Sequence, residues 1–134
     1  MNLESSETLP VRTSEDIVRV RQRVREHATR LGFSLVEQTK IITAASEIAR
    51  NTLDHGCGGE ARLEELSLGI RRGLRLVFSD QGPGIPDIAR ALTDGYTTGG
   101  GLGLGLSGAK RLSNEFDIDS APGKGTTVTI TRWK

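Results

Sequence analysis

Glycine constrains this chain more than any other residue: of 17 glycines, six fall between positions 99 and 108. The run Gly99-Gly100-Gly101-Leu102-Gly103-Leu104-Gly105-Leu106 leads straight into a stretch in which Leu104, Leu106, Ala109 and Leu112 suit a helix. Glycines ahead of a helix leave backbone N–H groups uncovered, and the helix dipole adds positive potential there, so the segment suits phosphate. A flexible linker is the competing reading, but such linkers use serine rather than regularly spaced leucine. The leucines read as anchors to a core. Residues 103–108 also spell G-x-G-x-x-G, yet a dinucleotide fingerprint must follow a strand within a βαβ unit, and here a long loop precedes it. The Lys, His-Arg-Asp and Asp-Phe-Gly elements of conventional protein kinases are missing, as is the lysine motif of a Walker A loop.

The rest of the chain alternates clear start and stop signals. Residues 8–12 read as a short edge strand, where Pro10 is tolerated. Thr13 followed by Asp16 is an N-cap pattern opening a helix over 14–31, and Gly32 suits its C′ position. Ser34 with Glu37 is a capping box that starts a second helix, with Leu35, Ile41, Ile42, Ala45, Ile48, Ala49 and Leu53 at helical spacing up to about His55. Strands are expected over 63–71 and 74–79, joined by an Arg72-Gly73 turn. A short helix over 87–92, a helix over 103–114 and a strand pair over 116–120 and 126–133 complete the order. This succession predicts an α/β (α+β) two-layer sandwich with helices on one face of a sheet, and a length of 134 residues fits one domain, 1–134.

Composition excludes several function classes. Eighteen Lys plus Arg against 17 Asp plus Glu leave a net charge of +1, so overall charge makes no case for nucleic acid or an anionic membrane. Arg19, Arg21, Arg23 and Arg25 alternate with Val18, Val20 and Val24 and read as the solvated side of an amphipathic helix. No apolar run is long enough to span a bilayer, no signal peptide is expected, and the sole Cys57 forms no internal disulfide. A reducing, cytoplasmic location is the expectation.

Three further groups could carry chemistry. Glu47 and Asn51 lie four residues apart on the second helix and share a face, with His55 one turn on. Alone, such a pair is most often a solvated stripe. Asp80-Gln81-Gly82-Pro83-Gly84 leaves an apolar strand, where the carboxylate can accept from an exocyclic amine and the glycines admit a ring or phosphate; alone, it also reads as a tight turn.

In this order the segments resemble the four boxes of the GHKL (Bergerat-fold) superfamily of gyrase, Hsp90, histidine kinases and MutL. Glu47-Ile48-Ala49-Arg50-Asn51 looks like the N box, Asp80 to Gly84 the D-x-G-x-G box, Gly101-Leu102-Gly103-Leu104-Gly105-Leu106 the glycine-rich box and Gly125-Thr126 the G-T box. Tyr96-Thr97-Thr98 sits where members carry an aromatic and threonines. Within that group the chain is similar, over nearly its whole length, to the small serine/threonine switch kinases of bacterial partner-switching, or stressosome, systems. The resemblance implies a mixed, mostly antiparallel sheet and ATP with Mg²⁺ as cofactors. It implies Glu47 as general base, Asn51 as an oxygen ligand to Mg²⁺, and Asp80 as acceptor for the adenine amine. Gly82, Gly84 and Thr126 would shape the base pocket. Gly101, Leu102, Gly103, Leu104 and Gly105 would form the phosphate loop, and Thr97 and Thr98 a lid. The lid loop, about 14 residues, is short and is expected to close fully only with a partner protein bound.

The activity so implied is transfer of the ATP γ-phosphate to a serine or threonine of a STAS-domain protein, followed by release to a downstream partner such as a phosphatase. An anti-sigma factor with kinase activity and a non-catalytic ATP-gated interaction module are the alternatives. A histidine-kinase catalytic domain is disfavoured, because no phosphoacceptor hairpin is present and neither His27 nor His55 has that setting.

Overall fold

Alternation of apolar residues on the strands and amphipathic spacing on two long helices settle the architecture. The computed structural model describes residues 1–85, 87–92 and 105–134. Its elements are β1 (Asn2–Val11), α1 (Ser14–Arg30), α2 (Leu35–Asp54), β2 (Gly59–Leu68), β3 (Arg71–Asp80), α3 (Ile88–Ala91), α4 (Gly105–Arg111), β4 (Glu115–Ser120) and β5 (Thr126–Trp133). The strands form one sheet in the order β1-β2-β3-β5-β4. Every neighbouring pair is antiparallel, so the antiparallel majority expected of a mixed sheet is complete among the described residues.

Both capping boxes form. Thr13 Oγ1 accepts from the Asp16 N–H while the Asp16 carboxylate accepts from the Thr13 N–H, and Ser34 and Glu37 exchange the same bonds at the start of α2. Leu63, Leu74, Leu76, Phe78, Val128 and Ile130 point to one side of the sheet and pack with Ile17, Val20 and Val24 of α1 and Ile41, Ala45 and Ile48 of α2. Each buried Val, Leu, Ile or Phe among them contributes roughly 1.5–3 kcal/mol. Arg19, Arg21 and Arg25 are exposed on α1, as the amphipathic pattern requires.

Two expectations need correction. The edge strand begins at Asn2 rather than near position 8, because residues 2–7 also pair with β2. The β2–β3 turn is Gly69-Ile70, not Arg72-Gly73: Leu68 pairs with Arg71, and Gly69 takes φ +61, the conformation that a two-residue hairpin loop demands. Gly73 lies within β3 opposite Trp133, where a Cβ would come within 2.6 Å of the indole. It is absent a side chain for packing reasons, not for turning.

A buried ionic cluster ties α1 to β1 and β2. His27, 1% exposed, places Nε2 2.5 Å from Glu7 Oε2 and Nδ1 2.5 Å from Glu65 Oε2. Arg23 bonds Glu7, and Arg30 bonds Glu65. Each ring nitrogen of His27 thus meets a carboxylate, and Arg30 Nη2 also lies 2.9 Å from Nδ1, so the ring is held from three sides. Hydrogen bonds from Arg23, against the opposing effect of burial, hold the Glu7 carboxyl below its ordinary value. Burial acts to raise Glu65, but hydrogen bonds from Arg30 and His27 outweigh it and hold Glu65 low as well.

Carboxyls depressed in the folded state stabilise it above their ordinary value of 4.5, and that stabilisation is lost as pH falls through the lower folded values. Urea unfolding midpoints are therefore expected to fall steeply as pH drops below about 4.5. Glu65→Gln should cost about 3 kcal/mol near neutral pH and flatten that acid limb. An unchanged acid limb would contradict the assignment.

Candidate functional site

The C-terminal part of α2, the end of β3 and the start of β5 meet at one end of the sheet. Small side chains set the distance: Ala44, Ala45 and Ala49 are fully buried, which brings the α2 backbone close to its neighbours. Glu47, 7% exposed, sits on this helix, and its Oε2 accepts from the N–H of Gly105, the first residue of α4, at 3.2 Å. Leu106 and Ala109 bury the face of α4 that packs on α2. Asn51, one turn beyond Glu47, is half-buried, and its carboxamide has no hydrogen-bond partner among the described residues. Its backbone carbonyl accepts from the His55 and Gly56 N–H groups, closing the helix.

Asp80 ends β3 at 6% exposure, and its Oδ1 accepts from the Gly82 N–H at 2.9 Å, the local bond that turns the chain out of the strand. The loop after α2 lies directly on this carboxylate. A Cβ at Gly56 would stand 2.3 Å from Asp80 Cγ and Oδ2, and one at Gly82 would stand 2.7 Å from Gly56 Cα. The loop after α2 thus lies with its backbone against both the Asp80 carboxylate and the Gly82 backbone, which only glycine permits. A cavity of about 360 Å³ opens beside them, lined by Arg12, Cys57, Ser79, Asp80 and Gln81 together with the glycines of the loop.

Thr126 begins β5 and pairs in register with both Asp80 on β3 and Ser120 on β4. Ser120 is the tie between the loops. Its hydroxyl donates to the Gly125 carbonyl at 3.1 Å and accepts from the Ile85 N–H and the Thr126 hydroxyl, each at 2.8 Å. The Gly123 N–H adds a bond to the Pro83 carbonyl at 2.7 Å, and Gly84, at φ +80, lies against Ala121.

Glu47, Asn51, Asp80, Gly82, Gly84, Gly105 and Thr126 are therefore gathered at one end of the molecule. Thr97, Thr98, Gly101, Leu102, Gly103 and Leu104 lie outside the described residues. Gly56 and Ser120 were missed as site residues. Gly56 reads in sequence as one of several helix terminators, and Ser120 as the end of a strand; neither carries a signal of what lies across from it.

Comparison with known proteins names the group to which this geometry belongs. The family described as histidine kinase-, DNA gyrase B-, and HSP90-like ATPase matches residues 36–134, and the chain belongs to that family. The serine/threonine-protein kinase RsbT of Bacillus subtilis (strain 168) is 44% identical over 123 residues, covering 92% of this chain and 92% of that protein. An anti-sigma F factor of Geobacillus kaustophilus (strain HTA426) is 31% identical over 124 residues, 89% of this chain and 85% of its own length. Among solved structures, the RsbU and RsbW domains of Rv1364c from Mycobacterium tuberculosis match with a TM-score of 0.62 at 22% identity, over 96% of this chain and 32% of that longer one. The mycobacterial sensor histidine kinase MprB matches at 0.56 and 22% identity, over 96% of this chain and 97% of that one. At these identities the two structures show the fold alone. By family and by its whole-length kinase relative, the chain is an enzyme of the ATP-dependent serine/threonine-protein kinase class. No helix among the described residues is long and apolar enough to cross a membrane.

Gly56→Ala should overpack the junction and cost about 1–3 kcal/mol in urea unfolding, with displacement of the Gly82 amide resonance. A variant of wild-type stability and unshifted Gly82 would show that the loop after α2 and the exit of β3 are not in close contact.

Proposed function

We propose that the chain binds ATP against Asp80, transfers its γ-phosphate to a serine or threonine of a STAS-domain partner, and is then released to a downstream output enzyme such as a phosphatase. The observation that carries this reading is the buried carboxylate of Glu47, one helical turn before an Asn51 amide that has no partner among the described residues, and next to the first N–H of α4. A carboxylate retained in that position suits a general base, which takes the proton of the attacking hydroxyl. Asp80 keeps acceptor capacity beyond its bond to Gly82, as recognition of an adenine amine requires. Gly82, Gly84 and Thr126 border the base.

The donor set fits Mg²⁺, which favours hard oxygen ligands and keeps several waters; Asn51 would supply the amide oxygen. Bound with ATP, the metal supplies charge neutralisation for the transferred phosphoryl group. Gly105 and the preceding Gly101, Leu102, Gly103 and Leu104 are assigned to the triphosphate through their N–H groups, and Thr97 and Thr98 to the lid. Phosphorylation adds roughly −1.5 to −2 charges to the partner, enough to disrupt a packed interface and release the kinase. A reducing, cytoplasmic setting suits the single exposed Cys57.

Similarity to anti-sigma F factors favours a second reading, in which a sigma factor is the held partner and phosphorylation of an antagonist resets the complex. Co-precipitation with a purified sigma factor, compared with a STAS-domain protein, separates the two.

Glu47→Gln should lower the rate of phosphate transfer from labelled ATP to a STAS-domain protein by about 10²–10⁴-fold while calorimetric affinity for magnesium-ATP stays near wild type. Full transfer by this variant would remove Glu47 from the chemistry. Asp80→Asn should weaken magnesium-ATP binding by about tenfold or more. Unchanged affinity would move the adenine elsewhere.

A further inference from the structure

At the opposite end of the sheet from Asp80 lies a cleft of about 490 Å³ whose lining includes Arg30, Leu31, Ile70, Arg71, Arg72 and Lys134. Four of these residues are cationic and none is acidic, although the chain as a whole carries a net charge of only +1. The cations differ in their commitments. Arg30 bonds Glu65 but leaves its side chain 56% exposed, and Arg71 stacks over Trp133 at 4.9 Å. Arg72 and Lys134 are exposed and make no ion pair among the described residues. The nearby acid, Glu37, is engaged in the capping box of α2 with Ser34.

The cleft is also apolar at its lip, which a solvated basic patch has no reason to be. Ile70 is fully exposed, at 102%, in the second position of the two-residue β2–β3 turn, and Leu68 is 47% exposed beside it. Leu35 and Val36, which follow closely on Gly32 of the lining, are 80% and 64% exposed. The frame beneath is rigid: the Lys134 N–H donates to the Arg72 carbonyl at 2.8 Å, tying β5 to the turn.

We infer that this cleft is a docking site for an acidic segment of a partner protein, one that sets an aliphatic or aromatic side chain between carboxylates. Carboxylates match Arg72, Lys134 and the open edge of Arg30, while the apolar side chain covers Ile70 and Leu31. A nucleic acid would satisfy the cations and gain nothing from Ile70. The site is separate from the nucleotide chemistry: eight residues of extended strand lie between Arg71 and Asp80, a span of roughly 30 Å.

A random peptide display library, selected on the intact chain with magnesium-ATP present and counter-selected on the Ile70→Ser, Arg72→Glu, Lys134→Glu variant, tests this. Enriched peptides should carry Asp or Glu around a Leu, Ile or Phe. A synthetic copy should shift the Leu31, Gly32, Arg71 and Lys134 amides saturably and leave Asp80 and Thr126 unmoved. It should bind the triple variant about tenfold more weakly or worse, and Ile70→Ser alone, at a fully exposed position, should also weaken it. Enrichment of basic or uncharged peptides, unmoved amides at the cleft, or affinity for the triple variant equal to that for the unmutated chain would overturn the assignment. Tighter binding of a single-stranded oligothymidylate than of the peptide would make the occupant a nucleic acid.

Discussion

Everything at the candidate site depends on how closely α2 lies against its neighbours. Ala44, Ala45 and Ala49 have no exposed surface, and larger side chains there would push the helix outward. Glu47 and Asn51 ride on that helix, and the loop that leaves it brings Gly56 onto Asp80. Helix position, carboxylate position and loop path are therefore one constraint. A shift of α2 by a methyl radius would separate Glu47 from Gly105 and open the junction around Asp80.

The sheet supplies the other half of that constraint. Asp80 and Thr126 face each other across the β3–β5 ladder, and Ser120 extends the row to β4. Because Ser120 has a single proton and uses it on Gly125, its remaining capacity accepts from Ile85 and Thr126. The loop after β3 and the loop before β5 are thus bound to the same hydroxyl. Reactive groups held by strand ends and a helix, rather than by loops alone, keep the fixed geometry that phosphoryl transfer needs, since that reaction is governed by positioning and charge.

Legibility in the sequence followed the range of the interactions. The N-cap pattern at Thr13 and the capping box at Ser34 are complete within four residues, so they could be read directly, and each forms a full capping box. The β2–β3 turn was misplaced because Arg72-Gly73 looks like a turn and Gly69-Ile70 does not. What decides the matter is Trp133, sixty positions away in the chain, which needs the space that Gly73 leaves. The first half of β1 was missed for a similar reason: Ser5 and Glu7 face an ionic cluster rather than an oily core, so the usual alternation is absent. His27, set aside as lacking a phosphoacceptor setting, turned out to be the centre of that cluster. The four boxes fixed the family from short motifs, but Gly56 and Ser120 act across the fold and leave no local mark.

The two ends of the molecule share the same strands, and this limits how they can influence each other. The β3–β5 ladder runs unbroken from Gly73↔Trp133 to Asp80↔Thr126, and its inward side chains are closely packed. A continuous antiparallel ladder has no second arrangement to switch into, so the β3–β5 ladder itself offers a partner held at the Ile70 cleft no bistable element through which to alter Asp80. What docking there can do is raise the local concentration of the partner near the Asp80 end, or hold one protein while another is exchanged. The gain depends on the length of chain that joins the docked segment to the acceptor residue: a span shorter than roughly 30 Å cannot reach, and a much longer one loses effective concentration. Selectivity among otherwise similar substrates would then be set by a distance along a rigid sheet rather than by a change in the pocket.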